Sequence, residues 1–129
     1  MGLEVTCYSR HLPPYRNSDL MGETGIHYIS LQQVALNEAS AVHGPFDIIL
    51  EASGFSPLVF QAAEVLAKNG VLVLASVTGG DTKAEINTDS INQGFVLGNK
   101  VMVGTVNASY ADFVSGRDDM IKAEAFYPG

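Results

Sequence analysis

The sequence predicts an α/β fold with a parallel sheet, and three observations support that prediction. Five short apolar runs begin near residues 3, 26, 46, 71 and 101. Their starts lie 23, 20, 25 and 30 residues apart, which leaves room for a crossover helix between successive strands. The 129 residues are 47% hydrophobic and 16% charged, which is typical of one globular domain with a folded core.

The first part of the chain is predicted to contain three strands and two helices. Gly25 ends the first helix, and Gly44 with Pro45 is a typical end for the second. The third strand is largely apolar on both faces. The strands are predicted over 3–8, 26–29 and 46–51, and the helices over 19–24 and 31–43.

The clearest helix follows the third strand. Ser56 suits its N-cap, Pro57 suits its first turn and Gly70 ends it. The apolar run over 71–75 is typical of a strand buried on both faces of a parallel sheet.

One further strand and two further helices complete the pattern. Asp89 is predicted to cap a helix that runs towards Gly98, and a fifth strand is predicted over 101–104. Ser109 and Asp112 form a variant of the capping box, which predicts a last helix up to about residue 124.

Charge and cysteine content exclude several classes of protein. Seven basic and 14 acidic residues give a net charge of −7, the wrong sign for binding nucleic acid or an anionic membrane. Cys7 is the single cysteine, so no internal disulfide can form, and the three histidines do not lie at metal-ligand spacing with it. No run is apolar and long enough to span a bilayer. We therefore expect a cytoplasmic protein that binds no nucleic acid, membrane or metal.

Polar residues after the first predicted strand are candidates for phosphate binding. In parallel sheets, ligands bind beyond the carboxyl ends of the strands, where Ser9, Arg10 and His11 lie. In a dinucleotide-binding fold, this loop meets the adenosine ribose of the cofactor. An acidic residue here would repel a 2′-phosphate, whereas the planar guanidinium of Arg10 suits one, so the cofactor preference leans towards NADP. The alternative is that Arg10 is a solvated loop residue, and Arg16 is a weaker candidate for the same role.

The turns after the third and fourth strands are candidates for close approach of a cofactor. Ser53 lies between Ala52 and Gly54 and can hydrogen-bond a ribose or carboxamide group. Val77, Thr78 and Gly79 supply backbone donors and a hydroxyl. Both segments also match ordinary turns.

The segment after the fifth strand contains Thr105, Val106 and Asn107. Because Ser109 is the predicted cap, the amide of Asn107 is available for a hydroxyl-rich ligand. The alternative is an Asn that satisfies local backbone groups.

The order of several sequence blocks resembles one family, the medium-chain, zinc-dependent glucose dehydrogenases of archaea and bacteria. The resemblance covers the cofactor-binding domain of that family, from Gly2 almost to Gly129. The blocks that carry it are residues 43–47, 51–58, 66–74, 77–80, 94–100 and 104–109.

The resemblance implies that an aldose, above all D-glucose, is oxidised at its anomeric carbon to the lactone, with hydride passing to NADP or NAD. It implies that residues 9–11 meet the 2′-phosphate and that residues 77–79 and 105–107 approach the nicotinamide half. It also implies that Asn107 touches both cofactor and sugar.

The sequence departs from the family by lacking the G-x-G-x-x-G turn of a dinucleotide fold. Residues 1–129 are therefore expected to form a partial NAD(P)-binding Rossmann domain of about five strands, without the first strand, its turn or the zinc-binding catalytic domain. We expect a gap in the sheet, or closure by abnormal pairing or by another chain. The chain alone should bind cofactor poorly and turn nothing over, with zinc bound only in the parent enzyme.

Two alternatives belong to other classes. One is a non-catalytic nucleotide-binding or oligomerisation module with a rebuilt sheet, in which a homo-oligomer is possible. The other is a methyltransferase, which would need an acidic residue after the second strand of its fold, where this chain has Ser9 and Arg10.

Overall fold

The computed structural model describes residues 3–13 and 18–126. Strands and helices alternate along the chain, as the sequence predicts. The elements are β1 (Thr6–Ser9), α1 (Ser18–Glu23), β2 (His27–Ser30), α2 (Leu36–His43), β3 (Phe46–Glu51), α3 (Pro57–Val65), β4 (Leu66–Leu74), α4 (Thr88–Gly98), β5 (Val101–Gly104) and α5 (Tyr110–Phe126).

The strands form two parallel sheets. One contains β1 and β2, and the other has the order β3-β4-β5. Leu72 lies in the middle of the larger sheet, paired with Ile49 on β3 and with Met102 on β5. The α/β class and the incomplete Rossmann-like sheet are therefore confirmed. In the described part of the chain, no strand pairing joins the sheet of β1 and β2 to the sheet of β3, β4 and β5.

The core lies on one face of the larger sheet, where α2, α3 and α4 contribute apolar side chains. Leu72 is completely buried there, and Tyr8 from the smaller sheet packs against the same cluster. The Tyr8 hydroxyl donates to the Val34 carbonyl oxygen at 2.6 Å. The two sheets thus share one core. Its buried members are Leu36, Leu58, Ala62, Ala63, Val65, Leu66 and Leu72.

The opposite face of the larger sheet is uncovered. Ile48 and Leu50 on β3 are 69% and 66% exposed, and β5 is exposed throughout. The prediction that the fourth strand is buried on both faces is wrong, since Val71 and Val73 are half-buried. The physical reason is that the packed helices lie on the Leu72 face, while α5 buries none of its residues.

Two elements begin five residues away from their predicted starts, and smaller differences occur at other boundaries. Helix α2 begins at Leu36 instead of residue 31, because Gln33 and Val34 donate their N–H groups to the Ser30 carbonyl oxygen in a turn. Strand β4 begins at Leu66 instead of residue 71, because Leu66 pairs with Phe46 before the register shifts.

Gly70 marks a close approach of the backbone within β4. A Cβ there would lie 2.9 Å from the Ala67 carbonyl oxygen and 2.9 Å from Cγ of Leu66. The glycine predicted as a helix terminator is therefore required by packing inside a strand.

The predicted helix caps have different outcomes. Asn87, not Asp89, caps α4, since its side chain accepts a hydrogen bond from the Ser90 N–H at 3.1 Å. The capping box of Ser109 and Asp112 is present at α5, with the Asp112 N–H donating to Ser109 Oγ at 3.2 Å. In the described ranges, no helix combines the length and apolar character needed to cross a membrane.

Candidate functional site

A buried carboxylate lies at the carboxyl end of β3. Glu51 is 5% exposed. Its Oε1 accepts hydrogen bonds from the N–H of Ser53 at 2.7 Å and from the Ser53 hydroxyl at 2.5 Å. Its Oε2 accepts a hydrogen bond from the Ser76 hydroxyl at 2.5 Å. One side chain thus joins the turn after β3 to the segment after β4.

Hydrogen bonds and burial act in opposite directions on the pKa of Glu51. Burial on its own raises the pKa of this carboxyl group, but the donors of Ser53 and Ser76 together outweigh burial and lower the pKa below its ordinary value. The side chain is therefore ionised at neutral pH.

A second polar contact joins the same two loops. Ser56 occupies the N-cap position of α3 but makes no capping hydrogen bond. Its hydroxyl instead lies 2.5 Å from the Thr78 hydroxyl. The predicted N-cap position of Ser56 is therefore confirmed, but its hydroxyl contacts the other loop instead of capping the helix.

These loops enclose a shallow polar cleft of about 110 Å³. Gly54 and Gly80 have φ values of +69° and +110°, which residues with a side chain rarely adopt. No atom of another part of the chain lies within 4 Å of a Cβ built on either glycine. A ligand can therefore approach the backbone closely at both glycines. The cleft is lined by Gly54, Phe55, Ser56, Pro57, Thr78, Gly79, Gly80 and Thr82.

The predicted site residues Ser53, Val77, Thr78 and Gly79 all lie in these two loops. The Ser53 hydroxyl donates to Glu51 and accepts from the Phe55 N–H at 3.1 Å, so its proton is already used within the protein. Val77 is 83% exposed, and Thr78 and Gly79 are exposed beside it. The sequence therefore predicts which loops meet, whereas it does not predict the role of Glu51.

The loop after β1 is held through its backbone. The Gln32 side chain donates to the Arg10 carbonyl oxygen at 2.7 Å, and the Tyr28 hydroxyl donates to the His11 carbonyl oxygen at 2.8 Å. Ser9 Oγ lies 3.2 Å from Nδ1 of His11. Arg10 is exposed on this fixed loop. Arg16, the weaker candidate, lies outside the described residues.

The segment after β5 continues the sheet and then becomes exposed. The Thr105 N–H donates to the Leu74 carbonyl oxygen at 2.9 Å, and Val106 is 87% exposed. The Asn107 side-chain oxygen accepts a hydrogen bond from the Ala108 N–H at 3.2 Å. Because Ser109 and Asp112 cap α5, Asn107 is not used for capping.

Two residues that connect these loops, Glu51 and Ser76, were not predicted as site residues. The available signal was an acidic residue at the end of an apolar strand, immediately before the small residues Ala52, Ser53 and Gly54. A hydrophilic end to a strand usually faces solvent, so the sequence alone favoured no special role.

A larger cavity of about 390 Å³ lies between α3 and α4, away from the cleft. The Lys100 ammonium donates to the Ala63 carbonyl oxygen there at 3.3 Å, and burial lowers the pKa of this lysine. This contact satisfies a carbonyl group in the last turn of α3. Lys100 therefore stabilises the end of a helix.

The described residues do not suit a zinc ion. Within residues 3–13 and 18–126, no three histidine, cysteine, aspartate or glutamate side chains are grouped closely enough to hold a metal. No chemical step is therefore assigned to a metal on this chain.

Comparison with known proteins gives consistent matches along the chain. A family model described as glucose dehydrogenase C-terminus matches residues 1–128. Glucose 1-dehydrogenase of Methanocella arvoryzae is 28% identical over 129 residues, which cover 100% of this chain and 36% of that protein. Glucose 1-dehydrogenase 1 of Haloterrigena turkmenica is 33% identical over 116 residues, or 90% and 32% of the two chains. The chain spans about a third of the length of these relatives.

Solved structures match in fold as well. Glucose dehydrogenase of Haloferax mediterranei in complex with NADP, zinc and gluconolactone has a TM-score of 0.85 at 28% identity, over 92% of this chain and 33% of that one. An alcohol dehydrogenase zinc-binding domain protein from Burkholderia ambifaria has a TM-score of 0.62 at 23% identity, a similarity of fold alone.

Proposed function

The chain belongs to the glucose dehydrogenase C-terminus family, and from that premise we propose that it is the cofactor-binding part of an oxidoreductase that converts an aldose to its lactone. The proposed reaction transfers a hydride from the anomeric carbon of D-glucose to NADP or NAD. Residues 1–129 would act together as a partial NAD(P)-binding domain. A bound nicotinamide would supply the hydride acceptor, and the residues of this chain would bind and orient it.

The loop after β1 is proposed to hold the adenosine end of the cofactor. The backbone contacts from Gln32 and Tyr28 fix the loop, which leaves the exposed Arg10 guanidinium able to pair with a 2′-phosphate. Ser9 and His11 would add polar contacts from the same loop. This arrangement supports a preference for NADP over NAD.

The loops after β3, β4 and β5 are proposed to hold the nicotinamide half. Ser53, Val77, Thr78 and Gly79 would face the ribose and the nicotinamide ring. Thr105 and Val106 would approach the ring from the neighbouring strand, and Asn107 would contact both cofactor and sugar. The observation that carries the proposal is the joining of two strand-end loops by Glu51 and by Ser56 with Thr78, which forms a cleft at the edge where parallel sheets bind ligands.

Under this proposal, the chain by itself neither binds zinc nor catalyses the reaction. The described residues offer no metal-binding group, so a zinc ion and its proton relay would come from another part of the enzyme. We expect the purified 129-residue chain to bind cofactor weakly and to show no glucose-dependent reduction of NADP.

A matched pair of arginine substitutions tests the proposal. NADPH and NADH binding to the chain is measured by fluorescence titration, together with the glucose assay. Arg10→Ala should weaken NADPH binding about tenfold and leave NADH binding nearly unchanged, since a charge-assisted pair with phosphate is lost. Arg117→Ala removes the same charge from an exposed position on α5, where Arg117 pairs with Asp118, and should change neither affinity.

Three results would contradict the proposal. One is the absence of NADPH binding at any accessible concentration, and another is an equal effect of the two substitutions. The third is sustained turnover of glucose by the chain alone, which would show that the catalytic groups are already present. Tight NADPH binding without turnover would instead favour the non-catalytic nucleotide-binding module.

A further inference from the structure

The proposed cofactor cleft depends on loops that have few apolar contacts. Val77 is 83% exposed, and Ser53, Gly54, Thr78 and Gly79 are exposed as well. Side chains of the core therefore do not determine the shape of these loops. Polar contacts between the loops have to do so.

Glu51 supplies a buried polar contact between the two loops that line the cleft. It accepts two hydrogen bonds from Ser53 and one from Ser76, which belong to the two different loops. Ser53 adjoins Gly54 in one loop, and Ser76 adjoins Val77 in the other. A shift of either loop would leave a buried carboxylate oxygen without its donor, which is costly.

The chemistry of the site favours a carboxylate at this position. An ionised carboxylate only accepts hydrogen bonds, and here it meets three donors. A glutamine would keep the two contacts to Ser53 through its oxygen, and its NH₂ group would donate to the Ser76 hydroxyl. A leucine of similar size would leave all three donors without an acceptor.

We propose that Glu51 is a positioning residue for cofactor binding, which holds the loops after β3 and β4 in the arrangement that receives the nicotinamide half. It does not contact the cofactor itself and acts through Ser53 and Ser76. This inference rests on the proposed function of the chain, because it assigns Glu51 to the same cleft.

The experiment measures separately how Glu51 connects the two loops and how tightly the chain binds NADPH. Two-dimensional NMR of the free chain reports the amide shifts of residues 77–79 and the exchange of the Ser53 N–H, and NADPH titration then gives the affinity. Glu51→Leu should shift the amides of both loops and weaken NADPH binding about tenfold. Glu51→Gln should stay within about threefold of the unsubstituted chain, because it restores the contacts.

Ser76→Ala keeps the test decisive if Glu51→Leu does not fold. It removes the hydrogen bond from Ser76 to Glu51 and leaves the contact between Ser56 and Thr78 in place, and it should weaken NADPH binding and speed exchange of the Ser53 N–H. Ser90→Ala makes the same chemical change at an exposed residue on α4 and should alter neither. Leu66→Ala, in the core at the other end of β4, should lower the melting temperature and leave the affinity of the folded chain unchanged.

The outcomes separate this inference from the function on which it rests. NADPH binding that is unchanged in folded Glu51→Leu and in Ser76→Ala would overturn the inference and leave the proposed function intact. Failure of the unsubstituted chain to bind NADPH would overturn both, and the amide shifts would still show whether Glu51 connects the loops. Equal loss of affinity in Leu66→Ala would show general destabilisation instead of positioning.

Discussion

Replacing Leu72 by alanine tests whether the stability of the chain rests on the one covered face of the larger sheet. Leu72 is 0% exposed, and it lies on the central strand between Ile49 and Met102. The substitution removes three carbon groups, each contributing about 0.8 kcal/mol of transfer free energy. The loss is therefore about 2.4 kcal/mol before any cavity term.

The cavity term adds to this value. The surrounding helices and strands relax only partly, so the total loss in the free energy of unfolding should be about 3 to 4 kcal/mol. A domain of this size has a stability of about 5 to 15 kcal/mol, so the loss is a large fraction of the whole. With a slope of about 2 kcal/mol per molar urea, the unfolding midpoint should fall by about 1.5 to 2 M.

Urea unfolding followed by circular dichroism provides the measurement, and Leu50→Ala provides the control. Leu50 lies on the adjacent strand but is 66% exposed on the uncovered face. The same chemical change there should alter stability by less than about 0.5 kcal/mol. Equal losses in the two variants, or a loss below about 1 kcal/mol for Leu72→Ala, would refute a one-sided core.

Four further predictions concern single side chains. The pKa of Glu51 is lowered in the folded chain. The stability that its carboxylate adds to the fold is therefore present above the unfolded pKa and is lost as pH falls through the folded pKa. Urea midpoints measured from pH 7 to pH 3 should fall more for the unsubstituted chain than for Glu51→Gln. Ser109→Ala should reduce the free energy of unfolding by about 1 kcal/mol and lower the helical signal of α5, a result that an unchanged urea midpoint would contradict. Gly70→Ala should destabilise the chain by about 1 to 3 kcal/mol in the same assay, since its Cβ would meet the Ala67 carbonyl oxygen; neutrality would show that the backbone adjusts freely. Burial raises the pKa of the Cys7 thiol, so its modification by Ellman's reagent at pH 8 should be slower than that of a free thiol and should become fast in urea.

The sequence predicts the order of elements well because the strands are compact apolar runs and a helical pattern follows each of them. Sequence patterns do not predict the element boundaries and helix caps that depend on tertiary contacts. Strand β4 begins at Leu66 because that residue pairs with Phe46 across a register shift, which no local pattern encodes. Both Asn87 and Asp89 are good capping residues, and only the backbone geometry selects Asn87.

In the candidate site, too, local patterns predict some residues, whereas others depend on tertiary contacts. Turn residues such as Ser53 and Thr78 are predicted from their place after strands, since parallel strands bring their carboxyl ends to one edge. The role of Glu51 depends on Ser76, which lies 25 residues away, and on the pairing of β3 with β4 that brings the two together. A carboxylate at the end of a strand becomes informative only when its donors are known.

The uneven burial of the chain explains why polar contacts matter so much at the cleft. Apolar packing fixes the strands through the Leu72 face, but it stops at the ends of the strands, where Val77 and Val106 are 83% and 87% exposed. Beyond that point a loop keeps one conformation only if hydrogen bonds offset the entropy of ordering it. Glu51 and the contact between Ser56 and Thr78 provide such bonds between the two loops. Ser76→Ala, which removes one of these bonds at a half-buried residue, should therefore change ligand affinity more than stability, whereas the core substitution Leu72→Ala should do the reverse.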